Sequence, residues 1–119
     1  MAAAKPQKIL VVEDEVPVRL CLADVLRLEG FDVAEAGDAA EALDVLDAER
    51  VDLVITDLRM PGAMDGGGLV KWLIRNRPFL PVLAATAYHV DRTAIGVPVI
   101  EKPFRITTLV QRVRTALSG

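Results

Sequence analysis

The stretch VDLVITDLRMPG, from Val51 to Gly62, decides the fold of this chain. Its first half is apolar and rich in β-branched residues, as is typical of a strand that is covered on both faces of a parallel sheet. The run ends at a lone aspartate, Asp57, and a Pro-Gly turn signal follows closely. The residues after Asp57 form a loop rather than a helix start, so helix capping does not readily explain this aspartate.

The composition restricts the classes of protein to which the chain can belong. With 119 residues, of which 52% are hydrophobic and 26% charged, it suits a single domain with a sizeable core. A net charge of -3 argues against a general affinity for nucleic acid. The single cysteine, Cys21, excludes an intramolecular disulfide, and we expect it to fill the core. Neither a signal region nor a membrane-spanning apolar run is apparent, so we expect a soluble, cytoplasmic domain.

Apolar patterns along the rest of the chain predict five strands that alternate with helices or crossover segments. The predicted strands are Lys8–Val12, Phe31–Ala36, the quoted run up to Asp57, Leu80–Thr86 and Val97–Glu101. Helical spacing predicts helices over Pro17–Glu29, Asp38–Arg50, Gly67–Arg77 and a last segment with Ile106, Leu109, Val110, Val113 and Leu117 inward. Gly30 suits the end of the first helix, Asp38 and Glu41 form a capping-box pattern, and Ile74 is predicted to face the core. The pattern predicts a doubly wound α/β fold with a parallel sheet.

Open α/β sheets bind ligands at the carboxyl ends of their strands. The residues predicted at those ends are Glu13, Asp14, Asp57, Thr86 and Lys102. Taken singly, acidic residues after a strand often only cap a helix or close a turn, and a lone threonine or lysine carries little weight. Their joint placement at one edge of the sheet indicates a functional site.

The chemistry of this set points to phosphoryl transfer. Two carboxylates about 4 Å apart repel each other by roughly 4 kcal/mol at an effective dielectric near 20, and a divalent cation relieves that repulsion. Oxygen ligands without histidine or cysteine favour Mg²⁺ or Mn²⁺ over zinc. The Asp57 carboxylate can act as a nucleophile toward phosphorus, while Lys102 and Thr86 compensate charge on the transferred group.

Five ordered motifs, ILVVEDE, VITDLRMPG, MDGGGL, LAATAY and EKPF, resemble those of bacterial response-regulator receiver domains. The resemblance implies a flavodoxin-like strand order 2-1-3-4-5, a receiver domain over residues 8–119 and a tail over 1–7. It also implies that Asp57 accepts phosphate from a sensor histidine kinase or a histidine phosphotransfer protein. Mg²⁺ would be held by Glu13, Asp14, Asp57 and the backbone carbonyl of Arg59. A cis Lys102–Pro103 bond is expected as well.

The chain departs from the family pattern between Thr86 and Lys102, where receivers have their fourth helix. Only the 15 residues from 87 to 101 separate Thr86 from Lys102, so we expect that helix to be short or irregular. Val99 stands where many receivers carry an aromatic residue, and Ala63 is an extra residue in the loop after Asp57. The AATAY motif resembles the signature of a receiver subgroup named for a Phe-Ala-Thr-Gly-Tyr-like sequence. That resemblance implies that Tyr88 takes over part of the role of the missing aromatic residue.

Several other functions remain open at this point. A pseudo-receiver that binds partners without phosphorylation is the main alternative. A hydrolase with an aspartyl nucleophile is disfavoured, because such enzymes normally have an acidic residue at the position of Arg59. A flavodoxin-like cofactor site is disfavoured as well, because this sequence has no phosphate-binding loop after the first strand. His89 is interpreted as an exposed loop residue. We expect signalling through protein contacts or action as a phosphate sink, by a monomer or weak dimer that binds neither nucleic acid nor membrane.

Overall fold

A five-stranded parallel sheet forms the centre of the structure. The computed structural model describes residues 5–60, 62, 64–87 and 92–118. The strands are β1 (Lys8–Val12), β2 (Asp32–Ala36), β3 (Leu53–Asp57), β4 (Val82–Thr86) and β5 (Val99–Glu101). They lie in the order β2-β1-β3-β4-β5, and every pairing is parallel. The predicted doubly wound sheet and its strand order are therefore confirmed.

Helices cover both faces of the sheet, which is why its inner strands are continuously apolar. The helices are α1 (Val16–Leu28), α2 (Ala39–Ala48), α3 (Gly66–Asn76), α4 (Arg92–Ile95) and α5 (Ile106–Ser118). Side chains alternate along β1, so that Ile9 packs with α1 and α5 on one face and Leu10 packs with α2 and α3 on the other. Within the described ranges no helix has the length and apolar character needed to cross a bilayer.

The connection between β4 and β5 contains a helix of a single turn. α4 has four residues, and Gly96 follows it with a φ of 82°, a left-handed conformation that favours glycine. The prediction of a shortened fourth helix is confirmed. The predictions about Ala63, Tyr88 and His89, and about the first four residues of the tail, lie outside the described residues.

The ends of α1 and α2 form largely as their sequences predict. Gly30 has a φ of 95° and donates its N–H to the carbonyl of Arg27, which satisfies one of the free carbonyls at the end of α1. Asp38 caps α2 by accepting a hydrogen bond from the N–H of Glu41 at 2.8 Å. The Glu41 side chain accepts from the N–H of Gly37 rather than from Asp38, so the second bond of the predicted capping box is shifted by one residue.

Three apolar residues that were predicted to face the core are exposed instead, namely Cys21, Ile74 and Ile106. The prediction was wrong because each of them lies at the edge of an apolar helix stripe. Successive residues of a helix point about 100° apart, so Cys21 turns away from the buried Leu22, and Ile74 from the buried Leu73. Ile106 is the first residue of α5 and precedes its buried part.

Candidate functional site

The carboxyl edge of the sheet brings together the side chains that the sequence predicts there. Asp57 is the last residue of β3 and Thr86 the last residue of β4. Glu13 and Asp14 follow β1 directly, and Lys102 follows β5. Because β1, β3, β4 and β5 are neighbours in this order, their carboxyl ends form one continuous edge.

Three carboxylates form a compact cluster at this edge. Glu13, Asp14 and Asp57 each offer an oxygen, and these atoms lie within 4.8 Å of one another. Glu13 is 1% exposed, Asp57 is half-buried and Asp14 is exposed. Burial raises the pKa of the Glu13 carboxyl, and the charge of Asp57 adds to that rise, whereas contact with Lys102 lowers it. The net direction of the Glu13 pKa is upward, because the buried carboxylate is poorly solvated.

The side chain of Lys102 contacts two of these three carboxylates. Its Nζ donates to Glu13 Oε1 at 2.5 Å and to Asp57 Oδ2 at 3.0 Å. Its backbone N–H donates to the carbonyl of Thr86 at 2.8 Å, and the Lys102–Pro103 bond is cis, as predicted. Burial lowers the pKa of the Lys102 ammonium, but its contacts with Glu13 and Asp57 outweigh that effect and raise the pKa overall. Lys102 therefore remains a cation in the cluster.

The backbone around Asp57 is packed closely against α3. A Cβ atom on Gly66 would lie 1.6 Å from the carbonyl oxygen of Asp57, so only glycine fits at this position. Gly67 donates its N–H to the carbonyl of Leu58 at 3.3 Å, and Arg59 donates its N–H to Asp57 Oδ1 at 3.1 Å. The sequence analysis did not assign Gly66 to the site. The only signal for it was the run DGGG, which is unusually rich in glycine for the start of a helix.

Arg19 is a second residue that the sequence analysis missed. It lies in α1, and its Nη1 donates to the backbone carbonyl of Glu13 at 2.9 Å. An arginine on a helix usually indicates a solvated face, so nothing in the local pattern distinguishes this one from Arg27.

The β4 and β5 side of the site carries Val99 at the position where the resemblance to receivers leads one to expect an aromatic residue. Val99 is 2% exposed and pairs in register with Ala84, where it forms part of the core beneath α4. Thr86 is buried at the end of the neighbouring strand. The predicted contacts of Thr86 with a phosphoryl group, and of the Arg59 carbonyl with a metal ion, stay predictions.

The residues present fit a hard divalent cation. Glu13 Oε2 is buried and has no hydrogen-bond partner within the part of the chain that the structure describes. An unpartnered buried carboxylate oxygen is costly unless a further donor or a cation approaches it. The donor set of the cluster consists of carboxylate oxygens alone, which Mg²⁺ prefers over the nitrogen and sulfur ligands typical of zinc sites.

Comparison with known proteins finds relatives that align with most of this chain. Transcriptional regulatory protein PdtaR of Mycobacterium tuberculosis is 36% identical over an alignment 123 residues long, gaps included, which covers 98% of this chain and 59% of that protein. Sporulation initiation phosphotransferase F of Bacillus subtilis is 37% identical over 82 residues, which cover 69% of this chain and 65% of that protein. The chain thus spans less than two thirds of the length of either relative.

Solved structures agree in fold over nearly the whole chain. The chemotaxis response regulator CheY4 of Vibrio cholerae superposes with a TM-score of 0.84 at 29% identity, covering 94% of this chain and 99% of that one. The receiver domain of NtrX from Brucella abortus has a TM-score of 0.86 at 32% identity and covers 93% and 98% of the two chains. The family model of the response regulator receiver domain matches residues 9–114. The chain therefore belongs to the response regulator receiver domain family, the phosphoacceptor domains of two-component signalling systems.

Proposed function

We propose that Asp57 accepts a phosphoryl group from the phosphohistidine of a sensor histidine kinase or a histidine phosphotransfer protein, in a Mg²⁺-dependent reaction. The observation that carries this proposal is the arrangement of Lys102, whose ammonium contacts both Asp57 and Glu13 beside the third carboxylate, Asp14. A nucleophilic carboxylate, a cation within reach of it and a set of hard oxygen ligands are the parts that phosphoryl transfer requires.

The transfer forms one bond to phosphorus and breaks another. An oxygen of the Asp57 carboxylate attacks the phosphorus, and the bond from phosphorus to the imidazole nitrogen breaks, so that this nitrogen keeps the electron pair. The product is an aspartyl phosphate. Lys102 already lies 3.0 Å from Asp57 Oδ2, so its ammonium needs only a small displacement to contact a phosphoryl oxygen. The hydroxyl of Thr86, at the end of the next strand, is the proposed second donor to that group.

The proposed metal ligands are the carboxylates of Glu13, Asp14 and Asp57 together with the backbone carbonyl of Arg59. When bound there, Mg²⁺ supplies positive charge that compensates both the carboxylates and the phosphoryl oxygens. The buried Oε2 of Glu13 supports its assignment as a ligand, directly or through water. Arg59 is placed next to the acceptor by its hydrogen bond to Asp57 Oδ1.

The surface beside the site suits a protein partner. A groove of about 580 Å³ runs between α1 and α5, and Lys102 lines it together with apolar residues of both helices. Val16 and Leu20 add exposed apolar surface to α1, and Ile106 adds it to the start of α5. Exposed apolar surface next to a reactive group is typical of an interaction site. This supports docking of the phosphodonor protein on α1 and signalling by protein contacts or by drawing phosphate from a kinase.

The test is phosphorylation by acetyl phosphate with Mg²⁺, measured by intact mass. We expect the wild type to gain one phosphoryl mass, and we expect Asp57→Asn or excess chelator to abolish the gain. Asp24→Asn is the matched control, because this carboxylate lies on the exposed surface of α1 and should leave the reaction unchanged. An adduct that persists in Asp57→Asn would contradict the assignment of the acceptor.

A pseudo-receiver that binds partners without phosphorylation is the second candidate. The observation that favours it is Val99, since a small buried residue replaces the aromatic side chain that the family resemblance leads one to expect. If acetyl phosphate gives no adduct and beryllofluoride, a mimic of the phosphoryl group, leaves the NMR signals around Asp57 unchanged, the pseudo-receiver is the better description.

A further inference from the structure

We propose that Arg19 is a positioning residue of the metal site, which holds the segment of Glu13 and Asp14 in the orientation that Mg²⁺ requires. The inference rests on the proposed function, because it concerns the affinity of the same carboxylates for the metal. Arg19 itself offers no metal ligand, since a guanidinium has no free lone pair for a cation. Its proposed effect is on the backbone that carries the ligands.

Both backbone polar groups of Glu13, the N–H and the carbonyl, are hydrogen-bonded. Its N–H donates to the carbonyl of Ala36 at the end of β2, at 3.0 Å, and its carbonyl accepts from Arg19 Nη1 at 2.9 Å. That carbonyl belongs to the peptide unit that joins Glu13 to Asp14, and a peptide unit is planar. Arg19 therefore fixes the plane from which the Asp14 side chain departs.

The residues after this peptide unit offer little other support. Asp14 is exposed, and α1 begins only at Val16, with Glu15 as an N-cap whose side chain makes no capping hydrogen bond. Without an N-cap hydrogen bond, the first turn of α1 restrains the preceding residues weakly. The contact from Arg19 thus bears directly on how well Asp14 is directed toward Glu13 and Asp57.

Arg19 forms an ion pair with Glu35 of β2, although its buried Nε makes no hydrogen bond within the described residues. Its Nε lies 3.4 Å from Glu35 Oε1, and its side chain is only 19% exposed. Arg27, two turns further along α1, approaches the other oxygen of Glu35 at 3.2 Å. A Cβ atom on Gly37 would lie 3.1 Å from Arg19 Nη1, so the absence of a side chain at Gly37 leaves room for the guanidinium.

The direction of the effect distinguishes positioning from simple charge. As a cation in contact with the backbone of Glu13, Arg19 would repel a metal ion bound there, so loss of its charge alone would tighten Mg²⁺ binding. If Arg19 positions the ligands, its loss weakens binding instead. Residues that orient metal ligands typically change metal affinity about 10- to 100-fold when they are replaced. We expect the lower end of that range, because the loss of repulsion acts in the opposite direction.

The test compares Arg19→Gln with Arg27→Gln. Both arginines lie on α1, pair with Glu35 and donate to a backbone carbonyl, but Arg27 donates to Val33, away from Glu13. The Mg²⁺ dissociation constant is measured by NMR titration of the amides of Asp14 and Asp57. We expect a rise of about tenfold in Arg19→Gln and a change of less than about twofold in Arg27→Gln. Arg19→Lys, which keeps the charge and one donor, should recover part of the affinity.

An unchanged or lower dissociation constant in Arg19→Gln would overturn the proposal, and so would an equal rise in Arg27→Gln, which would indicate general loosening between α1 and β2. If Arg19→Gln does not fold, Arg19→Met takes its place, because methionine keeps an apolar stem and removes the donor to the Glu13 carbonyl; a rise of at least about twofold supports positioning, and no rise overturns it. Failure of the wild type to bind Mg²⁺ would instead contradict the proposed function.

Discussion

The two halves of the carboxyl edge of the sheet are built in different ways. In the half formed by β1 and β3, which we call the acceptor half, the proposed acceptor Asp57 is held by side-chain and backbone contacts, and α3 approaches its carbonyl so closely that only Gly66 fits. In the half formed by β4 and β5, the connection has a single-turn helix and the core position beneath it is the small Val99. Asp57 is thus closely held, and we expect the response to the proposed phosphorylation to arise between β4 and β5.

The largest effect that we expect comes from Gly66→Ala, which tests how tightly the acceptor half is packed. The new methyl group would overlap the carbonyl of Asp57, so the start of α3 must move away. We expect the free energy of unfolding to fall by about 3 kcal/mol, measured by urea denaturation. Gly67→Ala is the matched control: its Cβ would meet only ordinary contacts, and alanine favours helix, so a gain of about 0.5–1 kcal/mol is expected. Equal urea midpoints of unfolding for Gly66→Ala and the wild type would show that α3 is not tightly packed against Asp57.

Lys102→Met tests the contact that reaches from β5 into the acceptor half. The substitution leaves the buried Glu13 and the neighbouring Asp57 without a cation, and we expect the free energy of unfolding to fall by about 2 kcal/mol in metal-free buffer. This value lies below that of a fully buried pair because Lys102 and Asp57 are partly solvated. Mg²⁺ should restore part of the loss by binding to the folded state.

The control for that variant is Lys8→Met, at the opposite edge of the sheet. Lys8 pairs with Glu49 and Asp32, both of which are well exposed to water, and ion pairs in such places contribute little. A loss of stability in Lys8→Met as large as in Lys102→Met would contradict the distinction between the two edges.

Val99→Ala tests whether the β5 residue acts in packing or in switching. The loss of buried methyl groups should lower the free energy of unfolding by about 1.5 kcal/mol. The fraction of protein phosphorylated at saturating acetyl phosphate should stay the same, because the side chain of Val99 is apolar and lies in the core. Val97→Ala, at a less buried position of the same segment, should cost less. A large drop in phosphorylation with Val99→Ala would assign this residue a role beyond packing.

The smallest effect concerns chemical shifts rather than stability. If the response arises between β4 and β5, beryllofluoride with Mg²⁺ should shift the NMR signals of residues 92–97 more than those of Val99–Glu101. The physical reason is that a single-turn helix has few internal hydrogen bonds to resist rearrangement, whereas β5 is paired with β4. Larger shifts in β5 than in residues 92–97 would place the response on the strand.

Local sequence patterns predicted the doubly wound α/β fold and most of the candidate site, whereas the strand order 2-1-3-4-5 followed from the resemblance to receiver domains. The continuous apolar runs predicted the strands, and topology then placed Glu13, Asp57 and Lys102 at one edge, because parallel strands share the direction of their carboxyl ends. The errors at Cys21 and Ile74 have a common cause. A helical stripe predicts which side of a helix is buried, but neighbouring helices decide how far around the helix that burial extends.

By itself, the sequence determined the order of strands and helices, the carboxylates, lysine and threonine at the strand ends, and the short connection before β5. These features depend on periodicity and on the position of residues along the chain. Only the tertiary structure decided that Lys102 contacts both Glu13 and Asp57, that Gly66 lies against the backbone of Asp57, and that Arg19 binds the carbonyl of Glu13. Such contacts depend on how closely separate elements pack, and sequence periodicity carries no measure of those distances.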